Sequence, residues 1–295
     1  MPQRTSPATH MTPTAIALVL AAAFLHAYWN LHAKRAGGGA GFIWLTFALS
    51  ALLYVPVAAV AWAVLRPHFT AVDWLFIGGT SVLHVVYFLL LQRGYRAGDF
   101  SVVYPLARGT GPLLAALAAA AFFGEHPGVV GWIGILLVLG GIFAFAGGPR
   151  RLAGAHGRSV AYALATGVLI ACYTLWDKHA VAALAISPIM YDFLGNVGRT
   201  LVLSPLAYHR RDEVAYEWRV HRGAVAIVAT LSPLAYLLVL FALRMAPVSF
   251  VAPARELSVV IGTFFGVRLL AEGEGRWRIG AATAIVLGIV AIAVA

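Results

Sequence analysis

The sequence predicts an all-α integral membrane protein with ten transmembrane helices arranged as two inverted five-helix repeats. Three observations predict it: an excess of apolar residues, their grouping into runs of membrane-spanning length, and a match of the chain to itself at half its length. Of 295 residues, 61% are hydrophobic and 11% charged, with a mean hydropathy of +0.86. Soluble domains are roughly 45–50% apolar and about 25% charged. A core of this size could not hide the difference, so lipid must serve as solvent for much of the chain.

The apolar runs fall at residues 14–33, 41–65, 72–92, 100–122, 128–147, 159–177, 186–208, 221–243, 249–270 and 278–295. Runs of about 18–25 residues are long enough to cross a hydrocarbon core of about 30 Å. Lipid leaves no exposed backbone unpaired, so each run is read as a helix, and the alternation of a barrel strand is absent. Most breaks carry Gly, Pro or charge, as at Gly37-Gly38-Gly39, Arg66-Pro67 and Gly147-Gly148-Pro149. Arg4, the run from Ala15 and Ala21-Ala22-Ala23 resemble a secretory signal. The first run has a counterpart in mid-chain, however, which makes it a structural helix. Cys172, the single cysteine, lies inside an apolar run and reads as a small packing residue without a disulfide.

That counterpart appears when the chain is laid over itself with an offset of 147 residues. Trp29-Asn30 falls on Trp176-Asp177, Arg108 on Arg255, Glu125 on Glu272, Gly128 on Gly275 and Gly141-Ile142 on Gly288-Ile289. One residue further, Arg96 matches Arg244, Ser101 matches Ser249 and Pro105 matches Pro253. The expected organisation is an N-terminal tail over 1–13, a first repeat over 14–147, a linker over 148–158 and a second repeat over 159–295.

An odd number of spans per repeat forces the second copy into the membrane upside down. Odd-numbered connections carry Lys34, Arg35, Arg93, Arg96, Arg150, Arg151, Arg158, Arg210, Arg211, Arg219, Arg222, Arg276 and Arg278. The opposite side carries Arg4, Arg66, Lys178 and Arg244. The basic side thus follows helices one, three and five of the first unit and two and four of the second, as inversion demands. The positive-inside rule then places both termini outside the cytoplasm. The formal net charge of +10 would suggest nucleic acid in a soluble protein. Here its clustering suits loops at an anionic membrane face, so the expected partner is the lipid bilayer and not nucleic acid.

Between the third and fifth runs the chain reads Gln92-Arg93-Gly94, Asp99-Phe100-Ser101-Val102-Val103-Tyr104-Pro105-Leu106, Gly124-Glu125 and a Gly-spaced stretch from Gly131 to Gly141. The second half repeats it with Ser249 to Pro253, Arg255-Glu256 and Glu272. The chain resembles the EamA family of the drug/metabolite transporter superfamily over all but about a dozen N-terminal residues. The resemblance implies a central cavity between two inverted repeats and transport of metabolites by alternating access.

An ionisable group inside hydrocarbon is costly unless it faces protein or water, so each one is a candidate for function. Arg255 and Glu256 lie within the ninth run. Helix neighbours point about 100° apart and do not pair, so Arg255 is expected to meet Asp177, and Glu256 to meet Arg108. The arginines suit a substrate carboxylate or phosphate. Glu256, Asp177, His84 and His26 are the proton-coupling candidates. Asn30, Tyr87, Tyr104, Arg108, Tyr173, Asp177, Tyr236, Arg255 and Glu256 form the expected substrate site. Trp29-Asn30 and Trp176-Asp177 read either as interfacial belts or as a pair of gates. Asp192, Asn196 and Arg199 share one helix face, which lies in a protein interior or near the membrane surface. Pro105 and Pro253 are symmetry mates that bend or hinge their helices. Gly131, Gly134, Gly140 and Gly141 suit close helix contact.

No cofactor, metal site or catalytic residue is expected, since HExxH, GxSxG and aspartate-rich clusters are absent. The reading is a secondary transporter of a small metabolite such as an amino acid. It would be proton-coupled and work in efflux across the inner (plasma) membrane, as a monomer with a dimer as the alternative. The competing classes are a membrane-embedded enzyme, a channel and a non-transporting assembly partner.

Overall fold

A computed structural model describes residues 10–98, 100–145, 157–262 and 276–295. Glu272, most of the 148–158 linker and the end of the ninth run lie outside them. All regular structure among the described residues is helical.

Helix α1 (Pro13–Ala36) starts at Thr12, whose Oγ1 accepts from Ala15 N at 3.2 Å, with Pro13 in the first turn where no amide is needed. It stops at Gly37 in the left-handed region (φ 61°), with Lys34 and Arg35 against the negative helix end. The second run is two helices, α2 (Ala40–Leu53) and α3 (Val55–Leu65), bent by 47° at Tyr54. Tyr54 OH crosses to donate to Thr230 O at 2.7 Å. Helix α4 (Ala71–Ala97) opens with a reciprocal cap between Thr70 and Asp73. Helix α5 (Phe100–Phe122) holds Pro105 and Pro112, and α6 is Gly128–Phe145.

In the second half α7 (Gly157–Lys178) widens into a π-turn at His179–Ala183. Helix α8 is Pro188–His209. Helix α9 (Arg211–Met245) begins ten residues before the run predicted at 221–243 and has non-helical torsions at His221. A seven-residue α10 (Val248–Ala254) follows, the chain is helical again over 257–262, and α11 is Arg276–Val294. Among the described residues, five helices are long and apolar enough to cross a membrane, and the bent α2–α3 pair makes a sixth.

The halves interlock. Helix α1 packs on α9 as α7 packs on α4, and α2 packs on α9 as α8 packs on α4. Helices α6 and α11 form one closed pair. A Cβ on Gly134 would lie 2.7 Å from Gly288 O, and one on Gly288 2.6 Å from Gly134 O. The two backbones therefore touch, as small residues permit in lipid. Gly131 and Gly141 also sit against neighbours, whereas Gly140, expected in the same role, faces open space. Ile135, Ile142, Ile285 and Ile292 fill that seam. Large apolar side chains such as Val64, Phe122 and Val129 point outward, the arrangement lipid requires. Cys172 is exposed on α7, so the expectation that it packs inside is corrected. The remaining faces turn inward, toward a polar centre.

Candidate functional site

Six charged side chains meet inside this apolar shell. Helix α5 brings Arg108, α7 brings Asp177, α8 brings Asp192 and Arg199, and the chain just after α10 brings Arg255 and Glu256. All but Arg255 are buried. Pro253 and Pro105 precede the two symmetry-related arginines on their helices.

Arg108 and Glu256 pair as expected. Arg108 Nε donates to Glu256 Oε2 at 2.9 Å, Nη2 reaches Ser258 Oγ at 3.4 Å, and the guanidinium lies 5.9 Å from the Tyr104 ring centre. Glu256 reaches across the halves because its side chain points away from its neighbour Arg255. The expected partnership of Asp177 with Arg255 is not formed. Asp177 instead accepts from Tyr191 OH at 2.6 Å and from Tyr236 OH. Two hydroxyls satisfy the carboxylate locally, and Tyr236 stands between it and Arg255, whose guanidinium lies 5.9 Å from that ring's centre. Arg255 is half-buried and meets no carboxylate among the described residues.

The other aromatic candidates line the same interior. His84 packs 4.3 Å from Tyr173 and 5.4 Å from Tyr236, ring centre to ring centre, and Tyr87 packs 5.6 Å from Tyr173. His84 Nδ1 lies 2.9 Å from Thr80 O on its own helix. The Thr80 hydroxyl lies 3.1 Å from the same nitrogen, so both polar groups of Thr80 hold the ring. His26 packs edge-on against Trp29 at 4.8 Å, within electrostatic reach of Arg108 and Arg255.

The Trp-Asn and Trp-Asp pairs diverge. Asn30 turns back to donate to His26 O at 2.9 Å and hydrogen-bonds no other site residue among the described residues. Trp176 Nε1 donates to Phe76 O at 2.9 Å while Asp177 enters the centre. Trp29 Nε1 is buried without an acceptor.

Two groups outside the expected site belong to it or brace it. The Asp192, Asn196 and Arg199 stripe is buried, which settles its two readings in favour of the interior. Arg199 Nη1 donates to Asn196 Oδ1 at 3.1 Å and lies 3.8 Å from Asp192 Oδ1. Its guanidinium sits between the rings of Phe47 (5.7 Å) and Tyr236 (5.9 Å). At the corner joining α9 to α10, Glu125 takes the Val248 and Ser249 amides at 2.8 Å each. Lys178 Nζ donates to Leu243 O at 2.6 Å and Ala246 O at 2.8 Å. An anion meets a helix start and a cation a helix end, each with the favourable sign. In the sequence Glu125 stood out only as part of the Gly124-Glu125 pair and as the match of Glu272, and Tyr191 carried no signal.

Among the described residues no group of three or more His, Cys, Asp or Glu could hold a metal ion. The arrangement can bind a small ion or zwitterion between the two halves of the chain.

Comparison with known proteins agrees with this architecture. One protein of solved crystal structure has the same fold, with a TM-score of 0.76 over 95% of this chain and 96% of its own at 16% identity. The uncharacterized protein y4nH of Sinorhizobium fredii (strain NBRC 101917 / NGR234) is 37% identical over 73 residues. That match spans 25% of this chain and 62% of the relative. The model of the EamA-like transporter family matches twice, over residues 13–147 and 157–294. With nearly the whole length matched, the chain belongs to the EamA-like transporter family, and its apolar helices make it a multi-pass membrane protein.

Proposed function

We propose that the protein is a ten-helix carrier, built from two inverted five-helix repeats. It moves a small metabolite, an amino acid or related compound, out of the cell across the inner membrane by alternating access. The bent α2–α3 pair and the interrupted α10 each count as one span. The exchange-symmetric packing, in which α1 sits on α9 as α7 sits on α4, supports the inversion. The observation that carries the transport reading is Arg255. A guanidinium inside the apolar shell, half-exposed and without a carboxylate partner among the described residues, is where an anionic group of the cargo can be received.

Asp177 is the proton-coupling group. It is fully buried, satisfied by hydroxyls and free of any salt bridge among the described residues, so its charge can change without breaking an ion pair. Tyr236 touches Asp177 through its hydroxyl and both Arg199 and Arg255 through its ring, so cargo at the arginines and a proton at Asp177 act on one side chain. That linkage allows a proton entering one way to be exchanged for cargo leaving the other.

The test is uptake or counterflow of labelled amino acids in proteoliposomes, with and without an imposed pH gradient. Wild-type flux should follow the gradient. Asp177→Asn should retain counterflow and lose the response to the gradient. A gradient response unchanged in that variant removes Asp177 from the mechanism.

A further inference from the structure

Arginine presents two different edges. The Nη1 end points along the side chain, while Nε and Nη2 lie side by side with parallel hydrogens and match the two oxygens of a carboxylate. Arg108 shows that edge in use: Nε serves Glu256 and Nη2 serves Ser258. Arg199 shows the same edge unused. Its Nη1 is taken by Asn196, but Nε and Nη2 are both buried without an acceptor. Asp192 Oδ1, 3.8 Å from Nη1, is also buried without a hydrogen-bond partner. Gly195 and Thr80 lie beside the edge: a Cβ on Gly195 would come within 3.5 Å of both Arg199 Nη2 and the Thr80 methyl. The rings of Phe47 and Tyr236 flank the guanidinium, one from each half of the chain.

We propose that the Nε–Nη2 edge of Arg199 is the seat of the cargo's carboxylate, and so a binding residue of the transport site. Paired donors left unbonded on one buried guanidinium edge are matched by paired acceptors from outside the chain, since buried polar groups are almost always bonded. Arg108 cannot take this role, because Glu256 already fills its edge. Arg255 is the least buried of the three arginines, so it receives the carboxylate first, and Arg199 holds it when Phe47 and Tyr236 part and close again. The chemical class follows from charge. Arg108, Arg199 and Arg255 face Asp177, Asp192 and Glu256, so the site is balanced as it stands. A zwitterion preserves that balance, whereas a doubly charged phosphate would meet Asp192 and Asp177. The cargo is an amino-carboxylate whose ammonium finds the unpartnered acceptor of Asp192.

This rests on the transporter reading above, and its test separates the two. Detergent-purified full-length protein is titrated by thermal shift with the common L-amino acids, with the matching L-amino acid amides, and with inorganic phosphate. At least one acid should raise the melting temperature while its amide does not. Arg199→Lys keeps the charge and loses the paired edge, so it should weaken that acid by at least about tenfold. If Arg199→Lys does not fold, Arg199→Met combined with Asp192→Leu removes both buried charges and should show the same loss. The proposal is overturned if no acid stabilises the wild type, if amides or phosphate do so equally, or if the variant binds the acid as the wild type does. An acid that binds through Arg199 but is not moved by proteoliposomes sinks the transport reading and leaves the carboxylate seat standing. An acid that is moved equally well by Arg199→Lys does the reverse.

Discussion

Arg108 and Arg255 occupy the same place in the two repeats, and the molecule treats them in opposite ways. Arg108 is 5% exposed, closed by Glu256 and braced by Ser258; Arg255 is half-open, with only an aromatic ring beneath it. One position makes the difference. The residue after Arg255 is Glu256, while the residue after Arg108 is Gly109. The acid gained by one copy neutralises the arginine of the other and leaves its own neighbour available. A second contrast points the same way. Asp192, Asn196 and Arg199 on α8 stand at the offset of Leu45, Leu49 and Leu52 in the first half. Duplication supplied the scaffold, and divergence put the polar chemistry into one copy.

Substitutions can break or sharpen that comparison. The largest effect should come from Glu256→Gln, which leaves Arg108 buried without its counter-charge and should cost about 3–5 kcal/mol, read as a fall in melting temperature in detergent. Arg108→Met with Glu256→Met removes the pair together and should recover most of that loss, the double-mutant cycle exposing the coupling. An equal loss in the double variant would show that the pair does not act as a unit. Next comes Glu125→Gln, which weakens two charge-assisted bonds to the α10 amides and should cost about 1.5–3 kcal/mol in the same assay. Gly288→Ala forces a methyl against Gly134 O and should cost about 1–3 kcal/mol, whereas Gly140→Ala, facing open space, should be neutral or slightly stabilising. Arg255→Gln should also cost little stability, within about 1 kcal/mol. It should nonetheless abolish transport in proteoliposomes. A large stability loss there would show that Arg255 has a structural partner after all.

The Arg108–Glu256 contact was legible in the chain because a symmetric repeat places two ionisable residues at one depth, and an unpaired charge in hydrocarbon must find the other. The same logic failed for Asp177. It assumed that a carboxylate needs a cation, and two tyrosines did the work, one of them (Tyr191) indistinguishable by type or spacing from a packing aromatic. The Arg199 stripe was visible as a polar face, but periodicity cannot tell an interior from a membrane surface. The bend at Tyr54 lies two residues before Pro56, a break signal inside the run read as one helix over 41–65, and the Tyr54 bond to Thr230 braces it. The π-turn at His179–Ala183 lies within apolar sequence whose composition permits an unbroken helix. Glu125 was recognisable as a motif only, since its purpose lies with amides more than a hundred positions away.

The corner between α9 and α10 is stitched by four bonds from elsewhere, two from Lys178 and two from Glu125. Lys178 follows directly on Asp177, so the segment that carries the Asp177 carboxylate also holds the end of α9. Parting the protein at that extremity means undoing all four stitches at once. Among the described residues the opposite extremity carries a single counterpart of these stitches, Glu213 Oε1 accepting from Gly41 N at 3.0 Å, so it is the less firmly fastened end.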